Sequence, residues 1–436
     1  MIRAPSLAQG TLLLPLGDVA CKRNKKGKVD TSSSDEGWSN DKHYWETSGS
    51  SDDNSGDTDV KDLSFSGKLR RQLAFSLFLQ SPGENAICSP ISALMPLGKL
   101  ALGAEGTTLK ELLAAIGVKK VSEVKQQFKK MIGEFRNTAG ADISVCSGVY
   151  VNENIKLKSE FRNNVQSVFD TDVERVDFRN PKRAADKINA WVMKHTNNKI
   201  DHLLDATDIS PSTSVILVNT VYFSAKWLYP FDNAKDRSFY GTNGEEDIPM
   251  MNCENNFKYY DSSSLNAEVV AIPYKGNSKL SFVIVLPKSK SSTSLTLLLK
   301  GLKTAPDLLK DAMKKMKSQS LVLSIPKFKI EKRFDLSVQY RNIGLNSMFH
   351  KGLTKIAEGQ DLFVSRAIQS ALINVHEFGT TAAAASVVMN FGASAPSKKK
   401  KVVADHPFLF TIVVKNQQLF TGIFTSSSTG SSPWGS

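Results

Sequence analysis

Residues 374–397 read NVHEFGTTAAAASVVMNFGASAPS, and the reading of this stretch decides what the chain is. It leaves a run with strand character, passes Gly379, and then holds no charged side chain from Phe378 to Ser397. Ala382 to Ala385 alone would favour a helix, but β-branched Thr380, Thr381, Val387 and Val388 flank them. On a two-residue period Thr380, Ala382, Ala384, Ser386 and Val388 share one face, and all are small enough to be buried without stranding a charge. Gly379 gives the chain a hinge free of a Cβ. From the residues alone, two readings stand: a loop or short helix, or a segment that is exposed in one state and enters a sheet in another.

Working outward, the body is mixed. Leu69 to Leu79, Ser89 to Leu102, Leu109 to Ile116, Ser122 to Phe135 and Lys187 to Lys194 have helical spacing, with Ser89 as cap and Pro90 in the first turn. Strands are expected at 143–151, 215–223, 269–272, 280–286, 321–325, 363–375, 408–414 and 419–424. The continuous apolar run 215–223 suits a central strand buried on both faces. The class is α+β with a large sheet.

The 436 residues suffice for a large core, and no apolar run of 18 or more residues reads as a membrane span. Four cysteines exclude a disulfide scaffold. The net charge of +13 is uneven: +5 over residues 1–29, −8 over 30–62 and +16 beyond. Such a basic body fits either a solvated lysine surface or a polyanion such as a sulfated polysaccharide or nucleic acid. Residues 1–20 form a weak signal segment, with Asp18 where a small residue is wanted. Residues 21–62 are too polar to form a core and are expected to be a disordered charged extension, and 426–436 a loose tail. Phosphate-loop, His-Glu-x-x-His, Cys-x-x-Cys and Gly-x-Ser-x-Gly patterns are absent, so the chain does not read as an enzyme.

The stretch from Glu377 through Gly379, Thr380, Thr381, Ala382, Ala383, Ala384 and Ala385 resembles the hinge of the serpins, the serine protease inhibitor family. Other landmarks fall in the family's order: Asn85 to Ser92; Gly103, Ala104, Gly106 and Thr107; Asn189 and Trp191; Asn219, Tyr222, Phe223, Trp227 and Phe231; Pro326 to Phe328; Leu336, Gly344, Met348 and Phe349; and Ala404 to Phe410. The resemblance covers roughly 63–425, taken as one serpin domain. It implies a large central mixed sheet, further sheets, eight or nine helices and an exposed reactive-centre loop. It also implies a suicide-type inhibitor: a protease cuts the loop, which then inserts as a strand and traps the acyl-enzyme. The alternative within the family is a non-inhibitory binding or carrier module.

Residue by residue, the resemblance pairs Glu377 with Lys327 over Trp227, and groups Ser89, Ser92, Asn219 and Gln369 as a polar cluster under the opening sheet. Gln369 stands where the family usually has His, and Phe378 departs from the usual charged hinge residue. The scissile bond falls sixteen residues past Glu377, at Ala393–Ser394. A single methyl at Ala393 suits an elastase-like pocket; Phe391 is the alternative, for a chymotrypsin-like protease. Lys119, Lys120, Lys125, Lys129 and Lys130 are candidate heparin contacts, so a glycosaminoglycan is the one cofactor considered, with no metal. The expected partners are a serine protease and a sulfated polysaccharide, without nucleic acid or membrane, for a monomer outside the cell.

Overall fold

A computed structural model describes residues 68–277, 279–380, 399–414 and 417–427. Nine α-helices lie among them: α1 (Lys68–Phe78), α2 (Pro90–Ala101), α3 (Gly106–Ile116), α4 (Val121–Arg136), α5 (Ser159–Phe169), α6 (Pro181–His195), α7 (Ser294–Thr304), α8 (Asp307–Lys315) and α9 (Ser337–Asn342). None is long and apolar enough to cross a membrane. The N-cap side chain of α2 is Ser89, which accepts from Ser92 N, and Pro90 sits in the first turn. The α6 helix starts well before the apolar spacing shows it, because Asn180 accepts from Arg183 N and Pro181 opens the first turn.

The strands form two sheets. One has nine strands in the order β1 (Ala86–Cys88), β15 (Gln417–Phe424), β14 (Phe408–Val414), β8 (Leu280–Pro287), β7 (Ala267–Pro273), β6 (Gly244–Ser262), β9 (Lys317–Pro326) and β13 (Lys400–Val403), with β5 (Lys235–Gly241) also on β6. The 19-residue β6, absent from the sequence reading, bridges two parts of this sheet: it pairs β5 over Gly244 to Met250, β9 over Met250 to Tyr259 and β7 over Lys258 to Ser262. The other sheet runs β10 (Phe328–Asp335), β11 (Val364–His376), β12 (Gly379–Thr380), β4 (Val215–Lys226), β2 (Ala141–Asn152) and β3 (Glu174–Val176). β4 is buried from Val215 to Phe223 because helix α6 and its neighbours cover one face and the main core the other.

The seam between β11 and β4 is divided. In its lower part the two strands pair in parallel, from Val364 with Val215 to Ala371 with Val221. Above Ala371 they part. There the chain turns at Glu377–Phe378, and Gly379–Thr380 come back between them as β12. The long segment 381–398 lies outside the described residues, and the chain returns as β13 on the other sheet, parallel to β9.

Candidate functional site: the hinge at the top of the six-stranded sheet

Two residues of β12 close both flanking strands. Val375 pairs with Thr380 and His376 with Gly379 on one side; Gly379 pairs with Lys226 and Thr380 with Ala225 on the other, antiparallel in both cases. The register leaves no room for a side chain at residue 379. A Cβ there would lie 2.2 Å from the Ala225 carbonyl oxygen and 2.9 Å from Lys226 Cα. Gly379 therefore serves as a point of backbone contact as much as a flexible joint.

Thr380 is fully buried, and its Oγ1 lies 2.7 Å from the hydroxyl of Tyr274. Burial pushes the Tyr274 phenol far above its usual pKa, so it stays neutral and available as donor or acceptor. The Tyr274 ring stacks on Trp227, with centroids 4.5 Å apart and planes 19° apart. Trp227 then holds the turn by two donors: its indole Nε1–H donates to His376 O at 2.8 Å, and its backbone N–H to Phe378 O at 3.1 Å. Phe231 N donates to Glu377 O at 2.8 Å. Three consecutive carbonyls, those of His376, Glu377 and Phe378, are thus fixed from the segment just after β4.

Lys327 Nζ donates to Glu377 Oε1 at 3.1 Å. Burial raises the Glu377 pKa, but its own backbone hydrogen bond and Lys327 outweigh that and leave it below the usual carboxylate range. Phe378 is half-buried, its N–H donating to His376 Nδ1 at 3.3 Å. Its ring lies 6.3 Å from that of His376.

The polar cluster lies lower in the seam. Gln369 Oε1 accepts from Ser89 N at 3.0 Å, while its Nε2 donates to Ser89 O at 3.0 Å and to Ser92 Oγ at 2.7 Å. The amide does what an imidazole cannot, since it donates and accepts on one side at once. Asn219 does not belong to this network. It faces Gln369 across the β4–β11 register and is fully buried, but neither its amide N nor its amide O has a hydrogen-bond partner. The Gln369 amide is already committed to the α2 cap, which draws it away from Asn219.

Thr381, Ala382, Ala383, Ala384, Ala385, Phe391, Ala393 and Ser394 lie outside the described residues. The far leg of that segment is anchored. Lys400 Nζ is 2.8 Å from Glu268 Oε1 and sits 4.6 Å from the Tyr259 ring centroid, and Lys399 pairs with Glu254. Lys119 and Lys120, just before α4, and Lys129 and Lys130 on it are exposed, whereas Lys125 is half-buried and donates to Asn164 Oδ1 at 2.6 Å. Tyr274 and His376 escaped the sequence reading. Tyr274 shows only as the last aromatic before the Lys275–Gly276 turn, and His376 acts through its carbonyl, which no side-chain pattern reveals.

The family model described as serpin (serine protease inhibitor) matches residues 64–427. The chain belongs to the serpin family. It is 36% identical to antichymotrypsin-2 of Bombyx mori over 350 residues, covering 79% of this chain and 92% of that protein. Antitrypsin of Bombyx mori is 35% identical, with 79% of this chain and 88% of the relative covered. Among solved structures, native protease nexin-1 with heparin is similar at a TM-score of 0.73 and 28% identity, covering 84% of this chain and 99% of that one. In this serpin the α+β fold is thus joined to a hinge whose first two residues already sit in the sheet.

The Tyr274 hydroxyl is the side-chain latch on that hinge. Tyr274→Phe keeps the stack on Trp227 but leaves Thr380 Oγ1 buried without a partner, at a cost of about 1–2 kcal/mol. Amide hydrogen exchange at Thr380 is expected to speed about five- to thirtyfold, with the core amides of β4 unchanged. Unchanged exchange at Thr380 would mean that backbone pairing alone holds the hinge.

Proposed function

We propose that this serpin is an inhibitor rather than a carrier, trapping serine proteases as the acyl-enzyme by insertion of its cleaved loop between β11 and β4. The observation that carries this is β12 itself, which sets the register of a strand still to be laid down. Continued down β4, the antiparallel pairing of Gly379 with Lys226 and Thr380 with Ala225 brings residue 390 opposite Val215. Continued down β11, the pairing of Val375 with Thr380 brings residue 391 opposite Val364. The strand from Thr381 therefore runs out of sheet at Asn390 or Phe391, just short of Ala393. At about 3.4 Å per residue, ten residues carry the cut end roughly 34 Å, the length of the seam.

The exchange of bonds favours insertion. Seven parallel pairs, Val364–Ala371 with Val215–Val221, would be given up for antiparallel ladders on both sides of the new strand. Thr380 faces the core, against Tyr274, so Ala382, Ala384, Ser386 and Val388 face the core after it. All are small and uncharged. The uncut loop prevents this exchange because its far leg is held in β13, so the starting state is preserved by a barrier.

Two tests address the insertion and the bond. Thr380→Arg puts a guanidinium at a position already buried beside Tyr274. The uncut chain can withdraw the two-residue β12 and solvate it, whereas an inserted strand cannot, so the unpaired buried charge, about 3–5 kcal/mol, weighs on the inserted state. The variant is expected to be cut by the target protease and released, with cleaved chain in place of the covalent band on a denaturing gel. A covalent band of undiminished intensity would overturn the insertion reading and favour the carrier alternative.

For the bond, we take Ala393–Ser394 and an elastase-like target. The C-terminal fragment released from an elastase complex is expected to begin at Ser394, and Ala393→Arg to replace elastase inhibition with trypsin inhibition at unchanged thermal stability. The name of the 36%-identical antichymotrypsin favours a second assignment, to Phe391 and a chymotrypsin-like protease. A fragment beginning at Gly392 would select it.

The exposed lysines on α4 and just before it suit a sulfated polysaccharide, and the similarity to a serpin solved with heparin supports that reading. Lys119, Lys120, Lys129 and Lys130 would make the contacts, with Lys125 tied to Asn164 at their edge. Replacing Lys129 and Lys130 by Gln is expected to lower the salt at which the protein leaves a heparin column. Elution at the same salt would show a surface that is merely solvated. The family and the acidic stretch at residues 30–62 favour a place outside the cell, residues 1–20 being a weak signal segment.

A further inference from the structure

A groove of about 520 Å³ runs between α8 and the middle of the nine-stranded sheet. Its rim is basic: Lys258 of β6, Lys279 just before β8 and Lys314 of α8 all line it and are exposed. Lys258 and Lys279 make no ion pair among the described residues, and Lys314 meets Asp311 only at 3.6 Å on the surface. Its floor is apolar, with Val283 buried and Met313 and Met316 half-buried. No acidic side chain lines it among the described residues. Cations ringing a methionine floor suit an occupant that is both acidic and aromatic.

We propose that the occupant is this chain's own acidic segment, residues 30–62. It holds ten Asp and Glu against Lys42 and Lys61, and its three aromatics, Trp38, Tyr44 and Trp45, stand among Asp35, Glu36, Asp41 and Glu46. Trp45 would lie on Met313 and Met316, and the neighbouring carboxylates would face Lys258, Lys279 and Lys314. The place where the segment joins the body favours this groove over the lysines around α4. The segment leads into α1, where Gln72 Nε2 donates to Lys303 O at 3.4 Å, at the end of α7 and just before α8. A chain as long as that from Trp45 to Lys68 spans roughly 26 Å when coiled, against about 14 Å for the length of α8. Tethering at that range gives an effective concentration in the millimolar range, so contacts that are individually weak suffice.

The test is limited proteolysis of the full chain, dilute and at low salt, with a protease that cuts after Glu. The stretch from Phe378 to Ser397 holds no Glu, so the cuts report on residues 30–62 and the result stands apart from the inhibitory reading. Lys258→Gln/Lys279→Gln/Lys314→Gln is expected to speed cleavage after Glu46 about five- to tenfold, and the fold is kept because all three positions are exposed. Trp45→Ser is expected to speed cleavage after Glu36 by a similar factor. At about 1 M salt, where the Debye length is about 3 Å, the lysine variant and the parent chain are expected to be cut alike. Equal rates for the parent chain and either variant at low salt would overturn the proposal. So would acceleration by Lys129→Gln/Lys130→Gln instead, which would seat the segment on α4, or protection that vanishes on dilution, which would seat it on a second copy.

Discussion

A backbone hydrogen bond deep in a sheet can be given up only if another takes its place, and the seam between β11 and β4 is built around that constraint. Its lower part is closed by direct pairing and its top by two residues of the hinge. On the insertion proposed above, the bonds of the lower seam would be exchanged for new ones rather than lost. Everything near the hinge serves this arrangement. Trp227 reaches the turn carbonyls, Tyr274 covers Thr380, and Lys327 neutralises Glu377.

The same constraint explains why the hinge residues are small. A side chain at residue 379 would meet the backbone of β4 itself, which cannot move aside without unpairing. Thr380 carries one hydroxyl and finds one partner. Lower in the seam the accounts are less even. Gln369 is fully engaged with Ser89 and Ser92, and Asn219 is left with an unsatisfied amide. An unsatisfied buried amide raises the energy of the closed seam and so lowers the cost of opening it. Gln369 thus ties the cluster to the start of α2.

The two ends of the segment 381–398 are held on different sheets, one by β12 and the other by β13. On the proposed mechanism, cleavage between them would free the first from the second and leave the pairing of β13 with β9 in place. The Lys400–Glu268 and Lys399–Glu254 pairs add to the hold on β13. Lys399 and Lys400 therefore have a structural use as well as a place in the overall positive charge.

By itself the amino-acid sequence determined the α+β class, the central strand at 215–223, the cap at Ser89, and the small, neutral face that begins at Thr380. These are local matters, set by spacing, by branched or small side chains and by the absence of charge. The sequence also pointed to Glu377, Lys327 and Trp227 through the family's order of motifs. Only the tertiary structure decided that Gly379 and Thr380 already lie in the sheet, that Tyr274 meets Thr380, and that Asn219 stands apart from Gln369. Those facts depend on register between strands more than a hundred residues apart. A shift of one residue in that register would turn Thr380 to the opposite face and leave Tyr274 without its partner, and no local pattern records which register is taken.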